Sequence, residues 1–212
     1  MFESEMAGWL EDALRVVFSK RKLCEQGFFK PAGHSHRSNV KAKFLFAVRK
    51  ILSIMESMSV EKKAARLLIH REKTLSIAES CTGGGLSNRL TNIAGSSRFL
   101  KLGLVVYSNE AKIKFLKVPS PLLTKHGAVS TEAAKHMAQA VRKILRTDFG
   151  IAVTGIAGPG GSTRNKPVGL TFIALSTKNE TVCEQFLFQG NRLNIKSQAA
   201  TQALTMLLKF LK

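Results

Sequence analysis

The stretch "LSIAESCTGGGLSNRLT", residues 75–91, decides how the chain is read. It opens as a short apolar strand over residues 74–79 and then sets Ser80, Cys81 and Thr82 side by side. Three glycines follow, and the helical pattern "GGGLSNRLTNIA" starts there. A strand that yields to a helix through a glycine turn is the unit of a layered α/β fold. The glycines let backbone N–H groups come close to a bound group, and a helix start favours an anion or a developing oxyanion. From residue types alone two readings stay open: Ser80 as a nucleophile, or Ser80 as a capping residue of a plain turn.

The same alternation runs through the chain. Residues 59–73 carry Ala64, Leu67 and Leu68 at helical spacing. "LGLVVYS" (102–108) reads as a buried β-branched strand, followed by a helix over "NEAKIKFLKV". The clearest helix is "AVSTEAAKHMAQAVRKILRT", with Ser130 as N-cap, Glu132 in the first turn and Lys143 and Arg146 in the last. "GIAVTG" (150–155) is a strand leading into the glycine loop "GIAGPGGSTRNKP". "VGLTFIALST" and "TVCEQFLFQG" form a hairpin about residues 178–180, and a last helix covers about 194–211. These elements predict a three-layer αβα sandwich with a mixed sheet over residues 58–212. Residues 1–57 differ: two helical stretches (6–18 and 44–55) flank a basic irregular segment, and Met55 and Met58 are alternative starts. They are expected to be an extension or an overcalled start. His34 and His36 in "PAGHSHRSN" lack partners at ligand spacing and read as a solvated loop.

The chain of 212 residues is long enough for one domain with a sizeable core. It has no apolar run of about 18 residues, so no transmembrane helix is expected. Glu3, Glu5, Glu11 and Asp12 are wrong for a signal or transit peptide. Three widely spaced cysteines give neither a disulfide framework nor a zinc pattern, which suits a reducing cytoplasm. The net charge of +19 favours polyanions and phosphate-bearing molecules. Yet the basic residues are scattered, only one Tyr and one Trp are available to stack on bases, and no nucleic-acid motif is present. A nucleic-acid partner, with the domain as scaffold, therefore stands as the alternative.

Three segments end a strand with small or polar residues: "ESCTGGG", "YSNEAK" and "TGIAGPGG". Strand ends are where ligands collect in open α/β sheets. A serine there needs a base, and none of these segments holds a histidine; His126 lies in a turn before a helix and reads as structural. Lys112 would sit in the first turn of its helix, where the macrodipole and burial both disfavour the ammonium. At a pKa of ~10.4 only about one free lysine in 2500 is neutral at pH 7, so tuning to near 7 demands roughly 4–5 kcal/mol. On spacing alone Lys112 is equally a surface lysine. Tyr107, the only tyrosine, precedes it. The third segment is neither a P-loop nor G-x-G-x-x-G, and reads as a phosphate-cradling loop or as plain surface.

Taken in order, "AESCTGG", "AGSSRFLKLGLVVYSNEAK", "HGAVSTEAA", "VTGIAGPGG" and "KPVG" resemble the C-terminal domain of the CinA family. These are the competence/damage-inducible proteins, whose stand-alone versions act as nicotinamide-nucleotide amidases. The resemblance covers about residues 59–212. It implies the αβα sandwich, a homodimer, and deamidation of nicotinamide mononucleotide to nicotinate mononucleotide plus ammonia in pyridine-nucleotide recycling, with no metal, no cofactor and no membrane partner. By the same resemblance Ser80 is the nucleophile, Tyr107 the proton relay and Lys112 the base. Thr82, Gly83 and Gly84 would shape the oxyanion turn, while Asn109, Thr154, Gly155, Ala157 and Gly158 would hold the nucleotide. The family's Gly-Asp-Arg appears here as Gly190-Asn191-Arg192, which leaves Arg192 as phosphate candidate without its acidic neighbour. Longer members carry a molybdopterin-binding-like domain that residues 1–57 do not match. Cys81 is the rival nucleophile, since a helix start lowers a thiol pKa.

Overall fold

In the computed structural model, residues 58–211 are described. The chain divides into two units, and Met58–Leu211 is the one that carries the features below. The helical stretches expected at 6–18 and 44–55, and the loop with His34 and His36, lie outside the described residues.

Helix α1 (Val60–His70) leads into strand β1 (Leu75–Glu79), and α2 (Gly85–Thr91) follows the glycine turn. After a 3₁₀ turn at Ser96–Arg98 come β2 (Leu100–Val105), α3 (Asn109–Leu116), α4 (Ser120–His126) and α5 (Thr131–Ile144). Strand β3 (Phe149–Gly155), the hairpin β4 (Leu170–Ser176) and β5 (Thr181–Leu187), and α6 (Arg192–Phe210) complete the order. The sheet runs β2-β1-β3-β4-β5. Strand β1 pairs parallel with β2 and β3, while β4 runs antiparallel to β3 and β5 antiparallel to β4. The expected mixed sheet and α/β sandwich are what the chain forms.

The two faces of the sheet are built from different residue sizes. Ile77, Ile151, Leu175, Leu204 and Leu207 pack in the core that β1, β3 and β4 share with α1, α2 and α6. Burying each such aliphatic side chain contributes about 1.5–3 kcal/mol. On the opposite face Ala78, Ala152 and Ala174 sit in cross-strand register. They pack in a second core with Ala133, Ala134, Met137 and Val141 of α5. This row of small side chains lets α5 lie close to the sheet, and a Cβ on Gly150 would collide with the Ala138 carbonyl and with Arg142. Ser130 caps α5 as expected, its hydroxyl accepting from Ala133 N at 3.2 Å.

Several boundaries depart from expectation for local reasons. Strand β2 begins at Leu100 and ends at Val105, so Tyr107 stands beyond it in the loop before α3. Helix α2 starts at Gly85 because Gly83 and Gly84 both take positive φ (61° and 92°) and turn the chain. Helix α5 stops at Ile144, leaving Arg146 outside it at φ 52°. The short α4 has no counterpart among the expected elements; Pro119, its N-cap, is extended, Pro121 lies in its first turn and Gly127 ends it, which puts His126 at its last position. Helix α6 begins two residues early, because the Asn191 side chain caps it by accepting from Asn194 N at 3.0 Å. Among the described residues no helix is long and apolar enough to cross a membrane.

Candidate active site

Strand β1 lies between β2 and β3; α2, on the connection from β1 to β2, packs on one face of the sheet and α5, on the connection from β2 to β3, packs on the other, which opens a crevice at the carboxyl ends of these strands. The three segments expected to matter all emerge there. Ser80 directly follows β1, and its N–H still donates to Val153 O at 3.0 Å, so the serine is fixed by the sheet itself. Glu79, fully buried, accepts from Leu86 N (3.0 Å), Ser87 N (2.8 Å) and Ser87 Oγ (2.6 Å). That carboxylate ties the start of α2 back to the end of β1 and holds the turn carrying Ser80. Sequence reasoning misses this role; a carboxylate just before a strand-to-helix turn is the available signal.

Lys112 comes from the first turn of α3, whose N-cap Ser108 accepts from Ala111 N at 3.1 Å. The lysine is only 1% exposed, so it is not a surface residue. Its Nζ lies 3.1 Å from Ser80 Oγ. It also donates to Val106 O at 2.9 Å and Tyr107 O at 3.1 Å. Burial holds its pKa below the ordinary lysine value, opposed more weakly by the charges of Cys81 and Glu110. The rival nucleophile behaves oppositely. Cys81 is packed in the core beneath α1, α2 and α6, and burial pushes its thiol up to about 11. Desolvation outweighs the expected helix-start lowering of that thiol, and the side chain that Lys112 Nζ meets is Ser80.

Tyr107 is 62% exposed and reaches the site from the loop after β2. Its hydroxyl accepts from Arg192 Nη2 at 3.0 Å, and its backbone carbonyl, not its hydroxyl, is what meets Lys112. Arg192 Nη1 donates to Gly158 O at 2.6 Å. The guanidinium therefore joins the tyrosine loop to the glycine loop without an acidic neighbour, and Asn191 serves as helix cap instead. Thr154 donates its hydroxyl to Ala128 O at 2.8 Å. Lys166, from "KPVG", donates to His126 O and Val129 O at 2.7 Å each, clasping the glycine loop to the turn after α4. Gly158 takes φ 75°, and a Cβ there would strike Val168.

The resulting pocket has a volume of about 240 Å³. Ser80, Tyr107, Asn109, Lys112 and Arg192 line it, together with Thr154, Gly155, Ala157 and Gly158, and Cys81 lines it too, so the serine and the cysteine both border the pocket. Thr82, Gly83 and Gly84 do not: they line an adjoining cleft between α2 and α6. Among the described residues no group of three or more His, Cys, Asp or Glu side chains is placed to hold a metal ion.

Residues 57–211 match the family model described as the CinA C-terminal domain. The chain belongs to the CinA family. A "CinA-like protein" of Syntrophus aciditrophicus is 42% identical over 199 residues, covering 93% of this chain and 46% of that protein. That stretch is longer than the 57–211 span, so the likeness continues into the first 57 residues. A "Putative competence-damage inducible protein" of Caldicellulosiruptor bescii is 45% identical over 150 residues, which are 71% of this chain and 36% of that one. The chain thus spans about half or less of these relatives. Among solved structures, competence/damage inducible protein CihA from Agrobacterium tumefaciens is 37% identical with a TM-score of 0.70, covering 74% of this chain and 99% of that one. The competence or damage-inducible protein from Enterobacter asburiae is 35% identical, also at 0.70, over 72% and 96%. These likenesses agree with the α/β fold described above.

Proposed function

We propose that this chain is an amidohydrolase that converts nicotinamide mononucleotide and water to nicotinate mononucleotide and ammonia, through a serine nucleophile and a lysine base. The observation that carries the reading is the buried contact between Lys112 Nζ and Ser80 Oγ at 3.1 Å. A neutral amine has two N–H donors and one lone pair. Three backbone carbonyls are within reach, Val106 O at 2.9 Å, Tyr107 O at 3.1 Å and Ser108 O at 3.4 Å; in the neutral form the two nearer ones take the N–H donors, which leaves the lone pair for the Ser80 hydroxyl proton. Desolvation of Lys112 favours that neutral form.

In the first step Ser80 Oγ bonds to the amide carbon, and its proton passes to Lys112 Nζ. As the tetrahedral intermediate collapses, the C–N bond breaks and Lys112 returns the proton to the departing nitrogen, which leaves as ammonia. Water then attacks the acyl-serine ester with Lys112 again as base. The acid is released and Ser80 regains its proton. Arg192, held by Gly158 O and Tyr107, presents a fixed guanidinium at the pocket mouth that suits a phosphate. With its hydroxyl on Arg192, Tyr107 serves first to position that cation, and becomes a proton relay only when substrate frees the hydroxyl.

The test is ammonia release from nicotinamide mononucleotide by the full chain, beside Ser80→Ala, with chelator present. Release by the native chain and none by the folded variant is the expected result. Release undiminished in Ser80→Ala would discard the serine mechanism, and no release from the native chain would discard the substrate.

A further inference from the structure

The turn that carries Ser80 has a second side. Behind it, between α2 and α6, is a cleft of about 430 Å³, larger than the reaction pocket. Its walls include Thr82, Gly83, Asn88, Arg89, Lys196 and Ser197, and among the described residues no Asp or Glu lines it. Lys196 lies four residues beyond Arg192, on the same face of α6. Its Nζ reaches within 3.4 Å of where a Cβ on Gly83 would stand, so the missing side chain at Gly83 is what leaves room above the turn.

The other cations here are engaged. Arg89 bonds Glu61 at 2.8 Å and Thr201 Oγ1 at 2.7 Å. Lys166 has two carbonyls, Arg192 a carbonyl and a hydroxyl, and Lys112 the serine site. Lys196, half-buried, has no hydrogen bond or ion pair among the described residues. Thr82, in the same wall, is nearly fully buried, and among the described residues its hydroxyl has no hydrogen-bond partner. A cleft with a free ammonium, an amide and hydroxyls, and no carboxylate, is chemically matched to an anion.

We infer that this cleft binds a phosphoryl-class anion through Lys196, on the opposite side of the serine turn from the reaction pocket. The anion can be the phosphoryl group of a substrate, seated here in place of Arg192, or a free phosphate bound beside a substrate that Arg192 holds; both share the same recognition.

The experiment titrates inorganic phosphate into the full chain at constant ionic strength, with chloride as the matched control, and follows the amide resonances of Gly83, Gly84 and Gly85. Saturable shifts with phosphate are expected, weakened about tenfold in Lys196→Met, the size of a lost charge-assisted hydrogen bond. Lys196→Arg should retain them, and Ser80→Ala should bind as the native chain does. No saturable shift, or the same shift in Lys196→Met, overturns the site and leaves only a generally basic surface. Adding nicotinamide mononucleotide separates the sources: displacement of phosphate assigns the site to the substrate's phosphoryl group, and co-binding assigns it to a free anion. Only this last arm rests on the amidase reading; the phosphate arm needs no turnover, so the two can fail separately.

Discussion

The pocket holds two cations in opposite ways. Lys112 is buried against the sheet, and its surroundings work against its charge. Arg192 stands at the exposed start of α6, where a carbonyl and a phenol hold its guanidinium. A lysine on the buried wall is suited to taking up and returning protons. An arginine on the open wall is suited to gripping an anion without exchanging one. Under the proposed amidase reading the division separates chemistry from capture, and each wall can be perturbed alone.

The largest effect should come from the buried wall. Lys112→Met removes the base and should lower kcat about 10²–10⁴-fold while the chain stays folded. In the native chain activity should rise with pH as the ammonium is lost, and level off below the ordinary lysine value of 10.5. The sign for stability follows from the same shift. Between the lowered folded value and 10.5 the unfolded chain binds more protons, so the native state gains stability as pH rises through that window. Lys112→Met should lack that gain. Denaturant midpoints of the two proteins across the alkaline range read it directly, and parallel curves would mean that Lys112 titrates like a free lysine.

Next in size is the support beneath the serine. Glu79→Gln keeps one acceptor oxygen but sets an amide N–H₂ against Leu86 N or Ser87 N, both donors. A loss of about 1–3 kcal/mol is expected, the range for a buried donor left unpaired. Urea unfolding measures it. The rate at which a small sulfonyl fluoride labels Ser80 should fall as well, because the turn loses its anchor. Unchanged labelling would show that the sheet bond from Ser80 N to Val153 O is sufficient by itself.

Much of this site is legible in the sequence because its pieces are local. Strand ends, glycine turns and the cap Ser130 follow from short-range patterning, and the ordered motifs around Ser80, Tyr107 and Lys112 announce the constellation. What is not legible depends on contacts distant in sequence. The spacing of Lys112 fits a surface helix equally well, and only the packing of α3 against α5 and the segments that follow β1 and β2 buries it. Thr82–Gly84 sit within four residues of Ser80, yet two positive-φ glycines carry them around to the next cleft. Glu79 and Lys166 act through backbone groups, 7 and 8 residues away for Glu79 and 37 and 40 for Lys166. Residue types do not encode such partners.

The smallest effect tests the open wall. Asn191 stands where the family carries an acid, and here its side chain caps α6 through Asn194 N. Asn191→Ala should cost about 1 kcal/mol in stability. Asn191→Asp keeps the cap and adds a negative charge at the helix start, so a gain of about 0.3–1 kcal/mol is expected, shrinking with salt. If the cap alone positions Arg192, the native chain and the aspartate variant should show the same KM, and only the alanine variant should weaken substrate capture. If instead the new carboxylate draws the guanidinium away from Gly158 O and Tyr107, KM rises in the aspartate variant although the helix is firmer. A gain in stability with a loss in capture would then show that the asparagine leaves Arg192 free for its anion.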